Sequence, residues 1–359
     1  MMKKLSFFFC LLLLSCSQEE KVIKVQYTPS SGVELLSSSF FDEIELVTLS
    51  GEGAPFLGWG LSTPMIVKDD EYYIASGDQI HRYDATGKYL NSVGQKGRGP
   101  GEYVDISNMI VEENGDISIY SWGTLYTYSP QGRFLRSIEY VHKSFQLGRA
   151  NGFNYHFYGH RGGKPYQLYI TDNYNNTIDS CFIAANVISM FFSPVFSSFE
   201  NNLYLCYTYG GEIYRLRNGK VDLLYNFDFG VYAFPAEYFN KNYEESISFI
   251  MSQSSALKSR FFENHKYAIL QALVTDNSLE QERSIYGILE KTTLVWRWYY
   301  MNQGDFMNGY HLRYMDDSYV YFTADPVTMK ETGLADRFPV LNTLGEDADV
   351  VIIKCNLKK

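Results

Sequence analysis

Two stretches of the chain, Met65–Val93 and Met109–Ile138, share one alternation of short apolar runs and turn residues. In the first stretch the runs MIV, YYIA, QIHRY and KYLNSV are separated by DDE, SGD and DATG. Short runs rich in aromatic and β-branched residues, bounded by Gly, Asp and Asn, indicate strands joined by tight turns. Four such strands with three turns are typical of one blade of a β-propeller.

The third turn of these stretches is the most specific repeat signal. Aligning Tyr83–Leu90 with Tyr128–Leu135 matches an aromatic residue, a glycine, a basic residue and a leucine in register. A short turn between two strands needs a residue that tolerates a positive φ, and Gly87 and Gly132 supply it. A repeat of this length predicts a propeller.

Weaker copies of the pattern continue along the chain and bring the number of blades to six. The final copy lacks one strand, which the alternating segment Phe40–Ser50 can supply by pairing with Val350–Leu357. The sequence thus predicts an all-β fold, a six-bladed β-propeller of four-stranded antiparallel blades, closed by pairing of the N- and C-terminal strands. The weaker copies are Tyr155–Phe182, Phe199–Phe227, Lys266–Trp298, and Tyr310–Thr323 with Val350–Leu357.

One segment, about residues 235–262, departs from the strand pattern. It begins with Pro235 and a glutamate and then carries apolar residues at helical spacing. We expect one or two helices inserted between the fourth and fifth blades. The apolar residues are Phe239, Tyr243, Ile247, Ile250 and Met251, followed by Leu257 and Phe261.

The N-terminus has the features of an export signal. Two lysines precede an apolar run, Leu5–Leu14, that is too short to span a bilayer as a helix. The following Ser15-Cys16 resembles a bacterial lipobox, which implies cleavage before Cys16 and lipid attachment to it; the alternative is an ordinary secretory signal with an incidental cysteine. We therefore divide the chain into a signal peptide (1–15), a lipidated tether (16–39) and the propeller (40–359).

Composition narrows the set of partners. The net charge of −10 argues against a nucleic-acid partner, because phosphate binding needs clustered lysines and arginines. After the signal, Cys181, Cys206 and Cys355 remain without a CxxC pair, so neither a zinc site nor a disulfide framework is indicated. Buried free thiols are expected, with a Cys181–Cys206 bridge left open as the alternative.

Several segments together resemble the six-bladed β-propeller lipoproteins of Bacteroidota. They are the lipobox, the opening strand FFDEIELVTLS, the loop GQKGRGPGEY at Gly94–Tyr103, NFDFGVYAFP at Asn226–Pro235 and the closing strand VIIKCNL. The resemblance implies an NHL-like propeller on an outer-membrane lipoprotein, and it assigns no catalytic residue. The acidic SQEE after Cys16 resembles the export signal of surface lipoproteins of that group, with the periplasmic face as the alternative.

The glycine-rich loop at Gly97–Gly101 is the first candidate binding site. It is not expected to cradle a phosphate, because Pro100 removes an amide donor and a strand, not a helix, follows. We interpret it as a crossover between blades whose Arg98 and Glu102 contact a ligand on one propeller face. Among the tryptophans Trp59, Trp122, Trp296 and Trp298, we select Trp122 as a third ligand-binding residue, with blade packing as the alternative.

No catalytic set, metal site or cofactor motif stands out. None of the histidines forms HxH or HExxH, although His156 and His160 are four residues apart, and no GxSxG elbow is present. The acid pairs Asp69-Asp70 and Asp316-Asp317 are interpreted as solvated turn residues.

Two functions remain open. The first is a cell-envelope scaffold, tethered to the membrane by its lipid, whose propeller binds a glycan, a peptide or another envelope protein. The second is a hydrolase or lyase acting on a glycan or lactone. The aligned repeats show no series of acids or histidines at matching positions, which favours the scaffold. Three or more such side chains converging at one mouth of the channel would reverse this order.

Overall fold

The computed structural model describes residues 22–28, 33–36, 38, 40–57, 64–159, 164–183, 195–241, 243–276, 281–301, 310–345 and 348–358. These residues form six antiparallel sheets that follow one another along the chain. The sheets are the blades of a propeller, so the predicted fold class is confirmed. We number the blades 1 to 6 in chain order.

The first three blades each contain four strands, in the order in which the chain forms them. Blade 1 consists of β4 (Met65–Lys68), β5 (Glu71–Ser76), β6 (Gln79–Tyr83) and β7 (Tyr89–Val93). Blade 2 consists of β8 (Asn108–Val111), β9 (Ile117–Ser121), β10 (Thr124–Tyr128) and β11 (Phe134–Glu139). Blade 3 consists of β12 (Gln146–Ala150), β13 (Phe153–Phe157), β14 (Tyr166–Asp172) and β15 (Thr177–Ile183).

The last three blades include strands from the N-terminal part of the chain. Blade 4 consists of β16 (Phe196–Phe199), β17 (Asn202–Cys206), β18 (Glu212–Arg217), β19 (Lys220–Asp228) and β1 (Ile23–Gln26). Blade 5 consists of β20 (Ser255–Glu263), β21 (Tyr267–Asp276), β22 (Gln281–Glu290), β23 (Val295–Met301) and β2 (Val33–Glu34). Blade 6 consists of β24 (His311–Met315), β25 (Tyr319–Ala324), β26 (Val351–Leu357) and β3 (Phe41–Thr48).

The first strand of each blade lies innermost, and these strands form a ring. β4 contacts both β8 and β24, while β20 contacts both β16 and β24. Asn108 Nδ2 of β8 donates to the Leu147 carbonyl of β12 at 2.7 Å. A Cβ at Gly148 of β12 would lie 3.2 Å from the Phe196 ring of β16, so glycine permits this close approach. The ring surrounds a central channel.

Pairing of the chain ends completes blade 6, as predicted. β3 pairs antiparallel with β26, with Leu46 opposite Ile353 and Ile44 opposite Cys355. Ile353 and Cys355 are fully buried in the apolar cluster between blades 5 and 6. The closure therefore joins both ends of the propeller through backbone hydrogen bonds and a shared core.

Part of the segment predicted to be a tether is docked on the propeller. β1 adds in parallel to β19 at the outer edge of blade 4, and β2 adds in parallel to β23 at the outer edge of blade 5. Leu35 and Leu36, which follow β2, are fully buried. These short strands have no clear alternation, because each is bound mainly through its backbone.

The helical segment ends earlier than the sequence predicts. A 3-10 turn at Ala236–Asn240 leads to helix α1 (Tyr243–Ser252), but Ser255 begins β20. Leu257 and Phe261 are therefore strand residues. Residues 255–262 are all buried, since an innermost strand is covered on both faces, so no two-residue alternation marks β20 as a strand.

The other short helices lie outside the blades' strands. They are α2 (Pro326–Glu331), which Asp325 caps by accepting from two backbone amides, and 3-10 turns at Gly230–Tyr232 and Pro339–Thr343. Within the described ranges, no helix has the length and apolar character needed to cross a membrane.

The repeated third turn has the geometry that its sequence predicts. In blade 1 the Gly87 amide donates to the Asp84 carbonyl, and in blade 2 the Gly132 amide donates to the Ser129 carbonyl, both at 2.9 Å. Gly87 and Gly132 have φ values of +83° and +85°. The register of the two repeats therefore reflects one backbone conformation that favours glycine.

Candidate functional site

The channel at the centre of the propeller is a cavity that all six blades build. It has a volume of about 220 Å³ and is lined by residues of every innermost strand. Its wall is largely apolar and aromatic and carries cationic side chains. Representative lining residues are Ile66, Met109, Leu147, Phe196, Phe262 and Arg313.

The two ends of the channel are built from different turns. Because the strands of each blade alternate in direction, the turns after the first and third strands lie on one face of the propeller. We call it the first-turn face. The turns after the second strands, and the segments that lead into each innermost strand, lie on the opposite face. We call this the second-turn face.

Acidic side chains converge at the mouth of the channel on the first-turn face. A depression of about 620 Å³ is lined there by residues of blades 1, 4 and 6. We call this depression the acidic mouth. Its carboxylates are those of Asp69, Asp70, Glu200, Asp316 and Asp317.

A histidine joins two of these carboxylates. His265, from the first turn of blade 5, approaches Glu200 Oε1 with Nε2 at 3.1 Å and Asp317 Oδ1 with Nδ1 at 2.9 Å. The hydrogen bond and charge of Asp317, assisted by Glu200, raise the pKa of His265. The imidazole thus links blades 4, 5 and 6 at the acidic mouth.

The prediction that matching blade positions carry no series of acids or histidines is wrong. First turns carry Asp69-Asp70 in blade 1, Glu112-Glu113 in blade 2, Glu200 in blade 4, His265 in blade 5 and Asp316-Asp317 in blade 6. An alignment anchored on the third turn hides this series, because the first turns differ in length and sequence. Aligning the blades on the end of each innermost strand would have shown it.

Some of these carboxylates stabilise their own turns, as the sequence predicts for solvated turn residues. Asp316 Oδ1 accepts from the amides of Ser318 and Tyr319, each at 2.7 Å, and Oδ2 accepts from the Tyr321 hydroxyl at 3.1 Å. Asp69, Asp70, Glu200 and Asp317 are exposed and face the depression. Across the described ranges, no group of three or more His, Cys, Asp or Glu side chains has a geometry suited to a metal ion.

Arg98 and Glu102 lie in a closed loop between blades 1 and 2. Lys96 and Tyr103 form an isolated parallel β-bridge that closes the loop. The Tyr103 hydroxyl donates to the Asp78 carbonyl of blade 1 at 2.7 Å. Glu102 Oε2 accepts from the Gly99 amide at 2.7 Å, and a Cβ at Gly97 would lie 1.9 Å from this oxygen. Glu102 therefore binds its own loop, and the absence of a side chain at Gly97 leaves room for the carboxylate.

Trp122 lies on the second-turn face, in the turn between β9 and β10. Its side chain is 58% exposed, and its φ of +44° is followed by +90° at Gly123. Within the described part of the chain, Arg98, Glu102 and Trp122 line neither the channel nor the acidic mouth. Their role in ligand binding stays a prediction, while Arg98 and Trp122 are exposed to solvent.

Trp296 and Trp298 pack within the fold. Trp296 contacts Phe227 edge to face at 4.8 Å between ring centroids, and Trp298 contacts Tyr27 in the same way at 4.9 Å. The indole of Trp298 also donates to the Gln26 carbonyl at 3.3 Å. These contacts fasten β1 to blades 4 and 5, so the packing alternative holds for both residues.

The other candidates that the structure describes are three cysteines and His156. Cys181, Cys206 and Cys355 are free thiols, so the bridge left open for Cys181 and Cys206 is not formed. Burial lowers the pKa of His156 to about 3, which keeps its imidazole neutral. Cys16, Trp59 and His160 lie outside the described residues.

Three of the solved structures that resemble this chain come from Bacteroides species. A protein of Bacteroides fragilis named as exported has a TM-score of 0.73 and 14% identity, and the match covers 94% of this chain and 100% of that one. A protein of unknown function from Bacteroides caccae has a TM-score of 0.42 and 9% identity, with 68% and 82% covered. The extracellular domain of a B. thetaiotaomicron protein named as a one-component system has a TM-score of 0.41 and 8% identity, with 87% and 40% covered.

At these identities the first likeness shows the fold, and the two lower scores support no conclusion. No protein of curated function matches the chain. A family model described as "Domain of unknown function (DUF4934)" matches residues 20–355. Because this match spans nearly the whole chain, the protein belongs to the DUF4934 family.

Proposed function

We propose that the protein is a cell-envelope lipoprotein whose propeller is a binding scaffold. Lipid on Cys16 would tether it to the outer membrane, at the cell surface or on the periplasmic face, as the lipobox and the resemblance to NHL-like propeller lipoproteins imply. The fold shared with a B. fragilis protein named as exported supports export. The partner classes are a glycan, a peptide or another envelope protein.

The observation that carries the binding role is the channel and its acidic mouth. Six innermost strands contribute side chains to one cavity, and the wider depression of about 620 Å³ opens it to solvent. A concave site with apolar walls and a few convergent polar groups is the usual form of a ligand site.

The anchoring step is tested by replacing Cys16. We expect radiolabelled palmitate to be incorporated by the wild-type chain and to be absent from Cys16→Ser, which lacks the thiol that would carry the lipid. Cys10→Ser, within the apolar run, is the matched control and keeps the label. Label on Cys16→Ser, or none on the wild type, would contradict lipidation.

The binding role is tested with glycan arrays and with pull-downs from envelope extracts. We expect a bound ligand that the double variant Glu200→Gln/Asp317→Asn binds at least tenfold more weakly, because its mouth loses two charges. Glu237→Gln, an exposed acid of the helical segment, serves as the control. Failure to bind any glycan, peptide or envelope protein would oppose the proposal.

A hydrolase or lyase is the second candidate, and the acidic mouth specifically favours it because more than three acidic side chains converge there. It stays second because these carboxylates belong to turns, where Asp69, Asp70, Glu200 and Asp317 are exposed and Asp316 accepts hydrogen bonds from its own turn. Paired carboxylates are the general acid and base of glycan hydrolysis. Incubation with glycan and lactone libraries would then release products with the wild type and not with Asp317→Asn. Binding without turnover of the bound glycan leaves the scaffold as the function.

A further inference from the structure

We propose that Trp122 is a stacking platform for a neutral sugar unit of a glycan, with Lys143 and Glu139 beside it to bind the sugar's hydroxyl groups. This inference rests on the proposed binding function and names one ligand class and its place on the molecule. That place is the second-turn face, away from the channel, so the acidic mouth has no part in it.

Trp122 occupies a turn position at which the fold elsewhere uses asparagine. The two-residue turns Trp122-Gly123, Asn151-Gly152 and Asn218-Gly219 each join neighbouring strands of one blade. Their first residues have φ values of +44°, +52° and +52°, and their glycines have φ values of +90°, +79° and +72°. These values match a type I′ turn, for which Asn-Gly is a preferred sequence. A bulky side chain at such a φ is strained, so the turn itself does not favour tryptophan.

The side chain of Trp122 is also largely open to solvent. Trp122 is 58% exposed, whereas Trp296 and Trp298 pack against aromatic rings of the fold. An exposed apolar ring in a strained turn adds little to the stability of the chain. Strained residues of this kind cluster at ligand sites, so a contact with an external ligand explains why this position carries a tryptophan.

An ion pair lies beside this turn. A Cβ at Gly123 would lie 2.8 Å from the Lys143 Cα, so the turn packs directly on Lys143. Glu139 lies opposite Thr124, the residue that follows the turn. Lys143 Nζ and Glu139 Oε1 are 3.3 Å apart, and their side chains are 67% and 69% exposed. The turn therefore has a donor group and an acceptor group next to it, both accessible to a ligand.

This combination fits a sugar better than a charged ligand or a protein. One face of a sugar ring is apolar and packs against an aromatic ring, while the hydroxyls donate to a carboxylate and accept from an ammonium group. Because the ion pair is balanced, it offers no net charge that would select an anion or a cation. A protein partner would need an interface of about 800 Å² on each side, but the described segment from Glu139 to Lys143 adds one exposed apolar residue, Val141.

Calorimetric titration of the purified full-length chain at pH 7 tests the site. The probes are cellohexaose, xylohexaose, mannohexaose and maltohexaose. We expect at least one of these neutral oligosaccharides to bind. Added sodium chloride should leave its affinity unchanged, because salt screens charges and does not screen stacking of a neutral ring.

Trp122→Asn is the decisive variant, because it removes the ring and supplies the residue that the turn prefers. We expect the affinity for the oligosaccharide to fall at least tenfold, while the thermal unfolding midpoint is no lower than that of the wild type. Trp122→Tyr should retain part of the affinity, since it keeps an aromatic face. Leu294→Asn is the matched control, because Leu294 is 66% exposed and has a φ of +55° in a turn of blade 5. Its replacement should leave the affinity unchanged.

Tryptophan fluorescence gives a readout that a purely structural role of Trp122 would not change. A saturating oligosaccharide should cover the indole and reduce its quenching by acrylamide in the wild type and in Leu294→Asn. The same oligosaccharide should leave quenching unchanged in Trp122→Tyr, which still binds but has no indole at this position. Equal protection in the wild type and in Trp122→Tyr would contradict stacking on Trp122.

The outcomes separate this inference from the proposed function. If an oligosaccharide binds and Trp122→Asn leaves its affinity unchanged, the inference is overturned and the binding scaffold stands. The same holds if a peptide or an envelope protein binds and no oligosaccharide does. If the double variant Glu200→Gln/Asp317→Asn keeps the affinity that Trp122→Asn loses, the sugar site lies apart from the acidic mouth, as proposed here. Failure to bind any ligand would contradict both proposals.

Discussion

The mouth and the interior of the channel differ in how exposed their charged side chains are. The acidic mouth is built from turn residues, and its side chains, such as those of Glu200 and Asp317, are more than half exposed. The interior cations Arg260 and Arg313 are more than nine-tenths buried on innermost strands. Charges at the mouth remain hydrated, whereas the interior charges lose water and must be compensated by their surroundings.

Exposed and buried charges differ in what their presence indicates. Acids in exposed turns are common because Asp and Asn tolerate turn conformations, and Asp69 and Asp70 have φ values of +51° and +60°. Their presence alone therefore says little about function. Two like charges buried side by side oppose folding, so Arg260 and Arg313 must be stabilised by other contacts of the fold.

The largest expected effect is on the free energy of unfolding, and it compares two buried arginines, Arg82 and Arg313. Arg82→Met should lower the free energy of unfolding by about 3 kcal/mol, because it leaves Glu71 without its cation. Arg313→Met should cost less than about 1 kcal/mol, since the lost hydrogen bonds are offset by relief of the repulsion from Arg260. Urea unfolding of both variants measures the difference. Equal losses would show that Arg313 is a structural cation like Arg82.

A smaller effect on the free energy of unfolding is expected in the loop between blades 1 and 2. This loop contains one hydrogen-bonded charge, Glu102, and one exposed charge, Arg98. Glu102→Ala should lower the free energy of unfolding by about 1 kcal/mol, because the Gly99 amide loses its acceptor. Arg98→Ala should change it by less than about 0.5 kcal/mol, as at most exposed positions. Thermal unfolding compares the two. A larger loss in Arg98→Ala would show that its guanidinium, not the Glu102 carboxylate, holds the loop.

The smallest effect concerns the pKa of His265 at the acidic mouth. Asp317→Asn should lower this pKa more than Glu200→Gln, because Asp317 both accepts a hydrogen bond from the imidazole and contributes the larger charge effect. Since folding raises the pKa, protonated His265 adds stability that is fully present below pH 6.5 and is lost as the pH rises through the folded value. NMR titration of the imidazole measures both variants. Equal decreases of the His265 pKa in the two variants would show that the summed charge of the mouth, not the hydrogen bond to Asp317, raises this pKa.

Much of the fold follows from local sequence signals. The glycine of the third turn, the alternation in blades 1 and 2 and the closing strands predicted a six-bladed propeller before any contact was known. These signals are informative because a positive φ favours glycine, and because a strand with one exposed face alternates between apolar and polar residues. The innermost strands of blades 3, 4 and 5, which are β12, β16 and β20, were missed as blade strands. β20 is covered on both sides and does not alternate, and β12 is a short strand that begins with three buried residues.

The candidate site was less predictable. Arg98, Glu102 and Trp122 were selected because they stand out in the sequence, and they lie away from the channel. Arg260 and Arg313 were not selected, since an arginine in a strand resembles any exposed polar position. Their burial depends on two blades that approach each other only in the closed ring.

The architecture could be predicted from the chain alone, because turn residues reflect local backbone angles, and the N-terminal pattern predicted a lipid anchor at Cys16. Which side chains face the channel depends on how the six blades pack together. The first turns of blades 1, 4, 5 and 6 come together at one mouth, and the cations of β20 and β24 meet inside. Closing six blades into a ring brings together residues far apart in the chain, and no local pattern records which of them will meet.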